Sequence, residues 1–167
     1  MPLIKSVVLQ NIIICPELVD FCVGHSHTLE SISFLECFGC VSETDRPYHW
    51  HELFNALLNA KPRRLRQFEV MPFDIPLENE FWLEETPEKI RKTRELLGKI
   101  RELLGTEPNP RLFAYKWLDR KYGAVRRDDD ENRRAFLKGQ DHASYLKLMD
   151  LINTNATEHR GSARTIP

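Results

Sequence analysis

The segment LESISFLEC, Leu29–Cys37, decides the fold that we expect for this chain of 167 residues. Its residues Leu29, Ile32 and Phe34 precede Cys37 in the pattern L-x-x-L-x-L-x-x-C. Alternation of apolar and polar residues predicts a strand with one buried face, and the cysteine fits an inward-facing position in the turn that follows. The segment therefore predicts a half-buried strand that ends in a tight turn.

Two further segments carry the same spacing in the same phase, one 25 residues earlier and one 36 residues later. The three apolar positions are filled there by Ile4, Val7 and Leu9, and by Leu65, Phe68 and Val70. A strand pattern that recurs at intervals of this order is typical of leucine-rich repeats, whose strands pair from one unit to the next. We therefore predict an α/β fold: a short irregular leucine-rich-repeat-like solenoid of about three parallel strands with helices, plus a helical C-terminal cap.

Helix signals lie between and after the strand patterns. Pro16 suits a first helical turn, and the spacing of Trp50, Leu53 and Phe54 indicates one apolar helix face. Residues 84–104 predict a charged helix, and Asp141 is predicted to cap the last one. We divide the chain into repeat-like units over residues 1–83, a helical cap over 84–152 and a disordered tail over 153–167.

Composition narrows the class of protein. The chain carries 24 basic and 25 acidic residues, so its formal net charge of −1 argues against a protein built to bind nucleic acid. No apolar run approaches the length that spans a bilayer, and no signal peptide is recognised before the first strand. We therefore expect the four cysteines to be reduced thiols in the cytoplasm or nucleus.

The predicted strands define a candidate binding surface. Because side chains alternate along a strand, the residues between the apolar positions share the opposite face of the sheet. These partner-binding candidates are Ser6, Val8 and Gln10, then Ser31, Ser33 and Leu35, then Gln67, Glu69 and Met71. The alternative is that this face packs under the C-terminal helices. The strand Ile4–Leu9 would also leave an uncovered sheet edge, which predicts self-association.

Five segments, in this order, resemble the C-terminal part of large fungal F-box proteins. They are Cys15–Leu18 (CPEL), His27–Glu30, Lys121–Gly123, Asp128–Glu131 and Gly139–Met149. The resemblance covers most of residues 3–152. It implies a non-enzymatic protein-interaction module, similar to the substrate-recognition end of the receptor of an SCF ubiquitin ligase, that works without a cofactor.

The N-terminal F-box of such receptors has no counterpart in this sequence, because the repeat pattern begins at Ile4. Recruitment of a ligase is therefore not implied for the chain alone. A truncated fragment without independent function is an open alternative.

A second alternative is a small zinc-binding protein that uses Cys37, Cys40, His49 and His51 as ligands. The interval between the cysteines and histidines lies outside the common zinc-finger spacings. On a helix the two histidines lie about 200° apart. We therefore favour an inward-facing Cys37 and solvent-facing histidines.

Other polar clusters have simpler interpretations. His25, Ser26 and His27 near Cys22 fit a polar connection better than a catalytic pair, and the basic run 61–66 fits a solvated connection. The Asn155 glycosylation motif is interpreted as a chance match.

Overall fold

A computed structural model describes residues 3–41, 48–71, 77, 86–106, 112–119, 121 and 123–163. The predicted boundary between residues 83 and 84 lies outside this part of the chain. The described residues form five helices and two sheets that contain parallel strands. The α/β class is therefore confirmed.

The first sheet consists of the three strands that the repeated pattern predicts: β1 (Ser6–Gln10), β3 (Ser31–Leu35) and β5 (Gln67–Met71). They are parallel and lie in the order β1, β3, β5. Val7 is aligned with Ile32 and Phe68, and Leu9 with Phe34 and Val70. The in-phase alignment that the sequence pattern predicts is thus confirmed residue by residue.

In the first sheet, β1 and β3 are each followed by a residue whose backbone is in the left-handed conformation. A shorter strand comes after each of these residues. Asn11 has φ 54° and Glu36 has φ 52°, values that non-glycine residues seldom adopt. The chain then forms β2 (Ile13–Ile14) and β4 (Phe38–Val41), which pair in parallel. The sequence pattern did not predict this second sheet.

The second sheet is completed from the C-terminal part of the chain by β6 (Tyr115–Asp119) and β7 (Ala124–Arg127). The order is β2, β4, β6, β7, and only the β6–β7 pair is antiparallel. Gly39 in β4 permits the close approach of Tyr115, because a Cβ there would lie 2.4 Å from the Tyr115 ring. Since β6 and β7 are strands, the prediction of an entirely helical cap is wrong.

The described residues include five helices: α1 (Pro16–Gly24), α2 (Trp50–Ala60), α3 (Pro87–Thr106), α4 (Asp129–Lys138) and α5 (Gln140–Ala163). Helix α1 confirms Pro16 in a first helical turn, and α2 confirms the helix predicted from Trp50, Leu53 and Phe54. Helix α3 confirms a helix in the charged region that the sequence predicts over residues 84–104. Asp128 caps α4 by accepting a hydrogen bond from the Glu131 backbone N–H at 2.9 Å.

One large core joins the two halves of the sequence. Phe34 from β3 meets Trp50 from α2 with ring centroids 5.7 Å apart, and Phe54 meets both Phe113, at 5.1 Å, and Tyr145 of α5, at 5.7 Å. These aromatic rings are at most 6% exposed. The first sheet and the C-terminal helices therefore share one apolar interior. A smaller core lies between β4 and α3, around Phe38, Leu97 and Ile100.

Helix α5 corrects the prediction of a disordered tail from residue 153. It continues to Ala163, so the prediction is wrong for residues 153–163, and residues 164–167 lie outside the described part. Asn155 is buried, and its amide Nδ2 donates to the carbonyls of Pro62 at 2.8 Å and Leu65 at 3.0 Å. This side chain is therefore a structural link to the connection before β5, and it is not exposed as a glycosylation acceptor would be.

No described helix combines the length and the apolar character needed to cross a membrane.

Candidate functional site

The nine predicted partner-binding residues share one face of the first sheet, which we call the outer face. Register aligns them in three rows: Ser6, Ser31 and Gln67; Val8, Ser33 and Glu69; and Gln10, Leu35 and Met71. The members on β1 and β5 are exposed and those on β3 are half-buried. The alternative that this face packs under the C-terminal helices is therefore wrong, because the buried residues of these strands lie on the opposite face.

The outer face is nearly neutral and has one apolar end. Glu69 is its single charged member. Val8 is 63% exposed and Met71 is 47% exposed, and half-buried Leu35 is aligned with Met71. Ile12, 37% exposed, follows β1 at the same end. Exposed apolar side chains grouped in this way are typical of surfaces that contact other proteins.

The opposite end of the outer face is polar. A cavity of about 460 Å³ lies there, between the first residues of the strands and the C-terminal turns of α5. Lys5, Glu30, Arg66 and His159 contribute to its lining. Lys5 Nζ lies 3.4 Å from Glu30 Oε1, so one basic and one acidic side chain are paired. A partner that lies along the strands would therefore meet a polar end and an apolar end.

Cys37 has the structural position that the sequence predicts. It is buried, and its thiol donates to the carbonyl of Leu9 at 3.3 Å, which links the turn after β3 to the preceding strand β1. Burial raises the pKa of the Cys37 thiol above its usual range. The thiol is thus part of the turn and is not aimed at the histidines.

The two histidines differ from the prediction. Their rings stack with centroids 5.3 Å apart, and both are largely buried rather than solvent-facing. His49 is the extended N-cap residue of α2, whereas His51 is helical, so the geometry of a single strand or helix does not apply to the pair. Within the described ranges, no group of three or more Cys, His, Asp or Glu side chains is arranged to hold a metal ion. The proposed zinc ligands are therefore not assembled as a site.

Behind the outer face, the first backbone N–H groups of α2 are bound by residues from distant elements. Trp50 donates its backbone N–H to the Tyr115 hydroxyl at 3.1 Å, and His51 donates its own to Asp141 Oδ1 at 2.9 Å. Asp141 also accepts from the Tyr115 hydroxyl at 2.6 Å, and its Oδ1 lies 2.9 Å from His51 Nδ1. We call Trp50, His51, Tyr115 and Asp141 the capping network.

The capping network corrects the prediction that Asp141 caps its own helix. The carboxylate is buried and serves the N-terminus of α2, 90 residues away in the sequence. Burial, and secondarily the neighbouring Asp141 carboxylate, raise the pKa of Tyr115 far above its usual value, so the hydroxyl remains a donor. The residue spacing carries no signal for this network, because its members come from three separate elements.

The remaining polar clusters are structural. Burial raises the pKa of Cys22 to about 11, so this thiol is not activated as a nucleophile. His25 packs its ring against Phe21 with centroids 4.8 Å apart, and its carbonyl accepts from the Thr28 hydroxyl. Asp128, at the start of the acidic run, serves as the cap of α4.

Comparison with known proteins produced no match to a protein-family model, a curated protein or a solved structure.

We predict that acidification destabilises the fold partly through His49. Burial lowers the pKa of His49 below its usual 6.5, although Glu131, Asp141 and Glu52 act against this and His51 acts with it. As the pH falls, His49 therefore takes up a proton in the unfolded chain at a higher pH than in the folded chain. The contribution of His49 is complete above pH 6.5 and is lost as the pH falls through the folded-state pKa, by at most about 1.4 kcal/mol per pH unit.

Urea unfolding between about pH 7 and 5 measures this effect. His49→Asn keeps a residue type that favours the N-cap position but does not titrate, so its stability is expected to fall less over the same range. An identical pH profile in the variant and the wild type would rule out the assignment to His49.

Proposed function

We propose that this chain is a non-enzymatic protein-binding module of the leucine-rich-repeat type, with the outer face as its binding surface. The observation that carries the proposal is the three-stranded parallel register, which presents nine aligned side chains with almost no charge. The proposal concerns recognition of a protein partner in the cytoplasm or nucleus. It includes no nucleic-acid or membrane binding.

The register of the first two units supports the repeat interpretation. Ser6 pairs with Ser31 in the first sheet, and Ile13 pairs with Phe38 in the second, so both sheets are offset by 25 residues. The left-handed residues Asn11 and Glu36 have the same offset. These equal offsets support the interpretation of two successive units with similar backbone paths, as expected of a repeat. The hydrogen bond from Cys37 to Leu9 ties the two units together.

Parallel strands also explain why the outer face suits a partner. Backbone groups of β3 are bound on both sides by β1 and β5, so its side chains are held on a rigid support. Binding residues on rigid elements lose little conformational entropy when a partner arrives. We infer a partner segment with apolar side chains over Val8, Leu35 and Met71 and polar groups toward Ser6 and Ser31. The resemblance to F-box receptors makes a substrate protein the expected partner type.

This proposal predicts that charge on the outer face abolishes partner capture. In the double variant Val8→Lys/Met71→Lys, two exposed apolar side chains become charged without any change to the core. The matched control is Val125→Lys/Leu146→Lys, since those side chains are 44% and 48% exposed and lie outside the face. Quantitative affinity capture from a lysate of the source cells is expected to show about tenfold or greater loss for the face variant only.

Equal retention of partners by the face variant and the wild type would contradict the proposed surface. If no protein is captured reproducibly by the wild-type chain, the interpretation as a fragment without independent function is favoured instead.

We also propose self-association through β1, which has a neighbour on one side only among the described strands. The Lys5 carbonyl and the Asn11 N–H are bonded toward β3, so by alternation the N–H and C=O groups of Ser6, Val8 and Gln10 point to the open edge. A second copy placed antiparallel aligns Val8 with Val8 and Ser6 with Gln10. Strand β1 contains no charge, proline or bulge to oppose this pairing.

Sedimentation velocity tests the self-association. The average mass of the wild type is expected to rise with protein concentration. Val8→Pro removes an edge N–H and is expected to keep the chain monomeric, whereas Val8→Thr retains the N–H and should still associate. A wild-type chain that stays monomeric throughout, or a Val8→Pro variant that associates as strongly, would contradict the β1 interface.

A further inference from the structure

The polar cavity of about 460 Å³ includes the first row of the outer face in its lining. Ser6, Ser31 and Gln67 form that row, and all three line the cavity beside its charged residues. A partner that covers the outer face therefore also covers the cavity. The groups that the cavity presents indicate which chemical group of the partner it receives.

The charges of the cavity leave one cation without an acidic partner. Lys5 Nζ lies 3.4 Å from Glu30 Oε1, so these two charges offset each other. Arg66 is half-buried, and within the described part of the chain its side chain forms no hydrogen bond or ion pair. His159 adds a further basic group to the lining. The cavity consequently has an excess of positive charge, although the outer face as a whole is nearly neutral.

The backbone holds Arg66 in a fixed position. Its N–H donates to the Glu30 carbonyl at 3.0 Å, and the preceding residue, Leu65, is fully buried. Buried Asn155 of α5 donates to the Leu65 carbonyl at 3.0 Å, and His159 follows about one helical turn later. The strand ends and α5 are thus fixed relative to each other. Because the cavity is formed in advance, a ligand loses little affinity to ordering of the protein.

More basic residues lie on the connection that leads to the cavity. Lys61, Arg63 and Arg64 are exposed, as predicted for a solvated connection. Their side chains form no ion pair with any described residue. The turn that carries the two arginines is closed by a hydrogen bond from the Leu65 N–H to the Pro62 carbonyl at 3.2 Å. Basic groups at this end of the first sheet attract an anionic segment over a longer range than the cavity alone.

We propose that the cavity binds a carboxylate of an acidic segment of the protein partner, with Arg66 as the principal cation. This inference rests on the proposed function of the outer face. A guanidinium group binds a carboxylate through two parallel N–H donors, and the Ser6 and Ser31 hydroxyls are further donors in the lining. A nucleic acid fits less well, because the described lining has no aromatic side chain for base stacking and includes the Glu30 carboxylate.

An NMR titration of the full isotope-labelled chain tests the site. A hexaglutamate peptide is expected to shift the amide signals of Ser31, Arg66 and Gln67 saturably, whereas hexaglutamine should leave them unchanged. Arg66→Gln is expected to weaken hexaglutamate binding about five- to tenfold, because it removes charge-assisted hydrogen bonds. The matched control is Arg94→Gln, which makes the same change at an exposed position of α3 and should bind as the wild type does.

A variant with the opposite effect keeps the test decisive if Arg66→Gln folds poorly. Glu30→Gln removes the carboxylate that repels the ligand and releases the ammonium group of Lys5. It is expected to strengthen hexaglutamate binding about two- to threefold, in the range of a partly exposed ion pair. Loss of structure does not produce such a gain.

Several results would overturn the proposal: no saturable shift, the same affinity in Arg66→Gln and the wild type, or weaker binding by Glu30→Gln. Tighter binding of an oligothymidylate at the same amides would assign the cavity to nucleic acid instead. Inorganic sulfate that binds as tightly as the peptide would assign it to a small anion. Both results would equally overturn it.

The titration and the capture experiment on the outer face fail separately. If hexaglutamate does not bind but Val8→Lys/Met71→Lys still abolishes partner capture, the cavity assignment alone is wrong. If hexaglutamate binds at Arg66 but capture is unaffected by that double variant, the outer face is wrong as the binding surface, and the cavity remains a site for acidic segments.

Discussion

The structure depends on the hydrogen bonds that the first backbone N–H groups of helix α2 donate inside the protein. A helix leaves its first backbone N–H groups without intrahelical partners, and burial of such groups without acceptors is costly. Here Tyr115 and Asp141 provide the acceptors for Trp50 and His51. Since Trp50 is also buried against Phe34 of the first sheet, these few hydrogen bonds fix the position of the sheet relative to β6 and α5. The outer face is consequently held from behind by the C-terminal part of the chain.

The same arrangement explains why the second sheet exists. The left-handed residues Asn11 and Glu36 follow β1 and β3 and direct the chain into β2 and β4. The third position in that sheet is then taken by β6, whose Tyr115 carries the hydroxyl of the capping network. Asn132 of α4 binds both the backbone N–H and the carbonyl of Tyr115, at 2.7 and 3.3 Å, which anchors the start of β6. The second sheet thus connects β2 and β4 from the N-terminal part of the chain to the C-terminal helices.

The sequence predicted those elements whose structure follows from their own alternation of apolar and polar residues. Strands β1, β3 and β5 alternate over their full length and bury one face, so both their existence and their alignment follow from the positions of Ile32, Phe34 and their counterparts. Strand β2 has two residues and β4 contains Gly39, so neither shows an alternation of apolar and polar residues from which a strand could be predicted. Helix α5 continues beyond residue 152 through a polar sequence, where buried Asn155 donates a hydrogen bond to the Pro62 carbonyl. A pattern of apolar residues does not reveal a buried polar residue of this kind.

The candidate site likewise has a part that the sequence predicts and a part that it does not. The nine outer-face residues were predictable because they are the complement of the buried positions on three strands. The capping network was not, because the role of Asp141 depends on Tyr115 and His51, which come close to it only in the folded chain. An acidic residue at the start of a helix is interpreted locally as a cap of that helix, and here the distant partners displace the local role. His49 and His51 likewise stack because α2 begins between them.

We infer that the capping network joins the first sheet, α2 and α5 into one cooperative unit. Native-state hydrogen exchange on the wild type and on Tyr115→Phe tests it most directly, because that substitution removes a single hydroxyl. We expect the slowest amides of β3, α2 and α5 to share one opening free energy, and the substitution to lower it by the same amount in all three, about 1–3 kcal/mol. If α5 opens separately at lower free energy, or if only β6 is affected, the network does not couple the two parts of the chain.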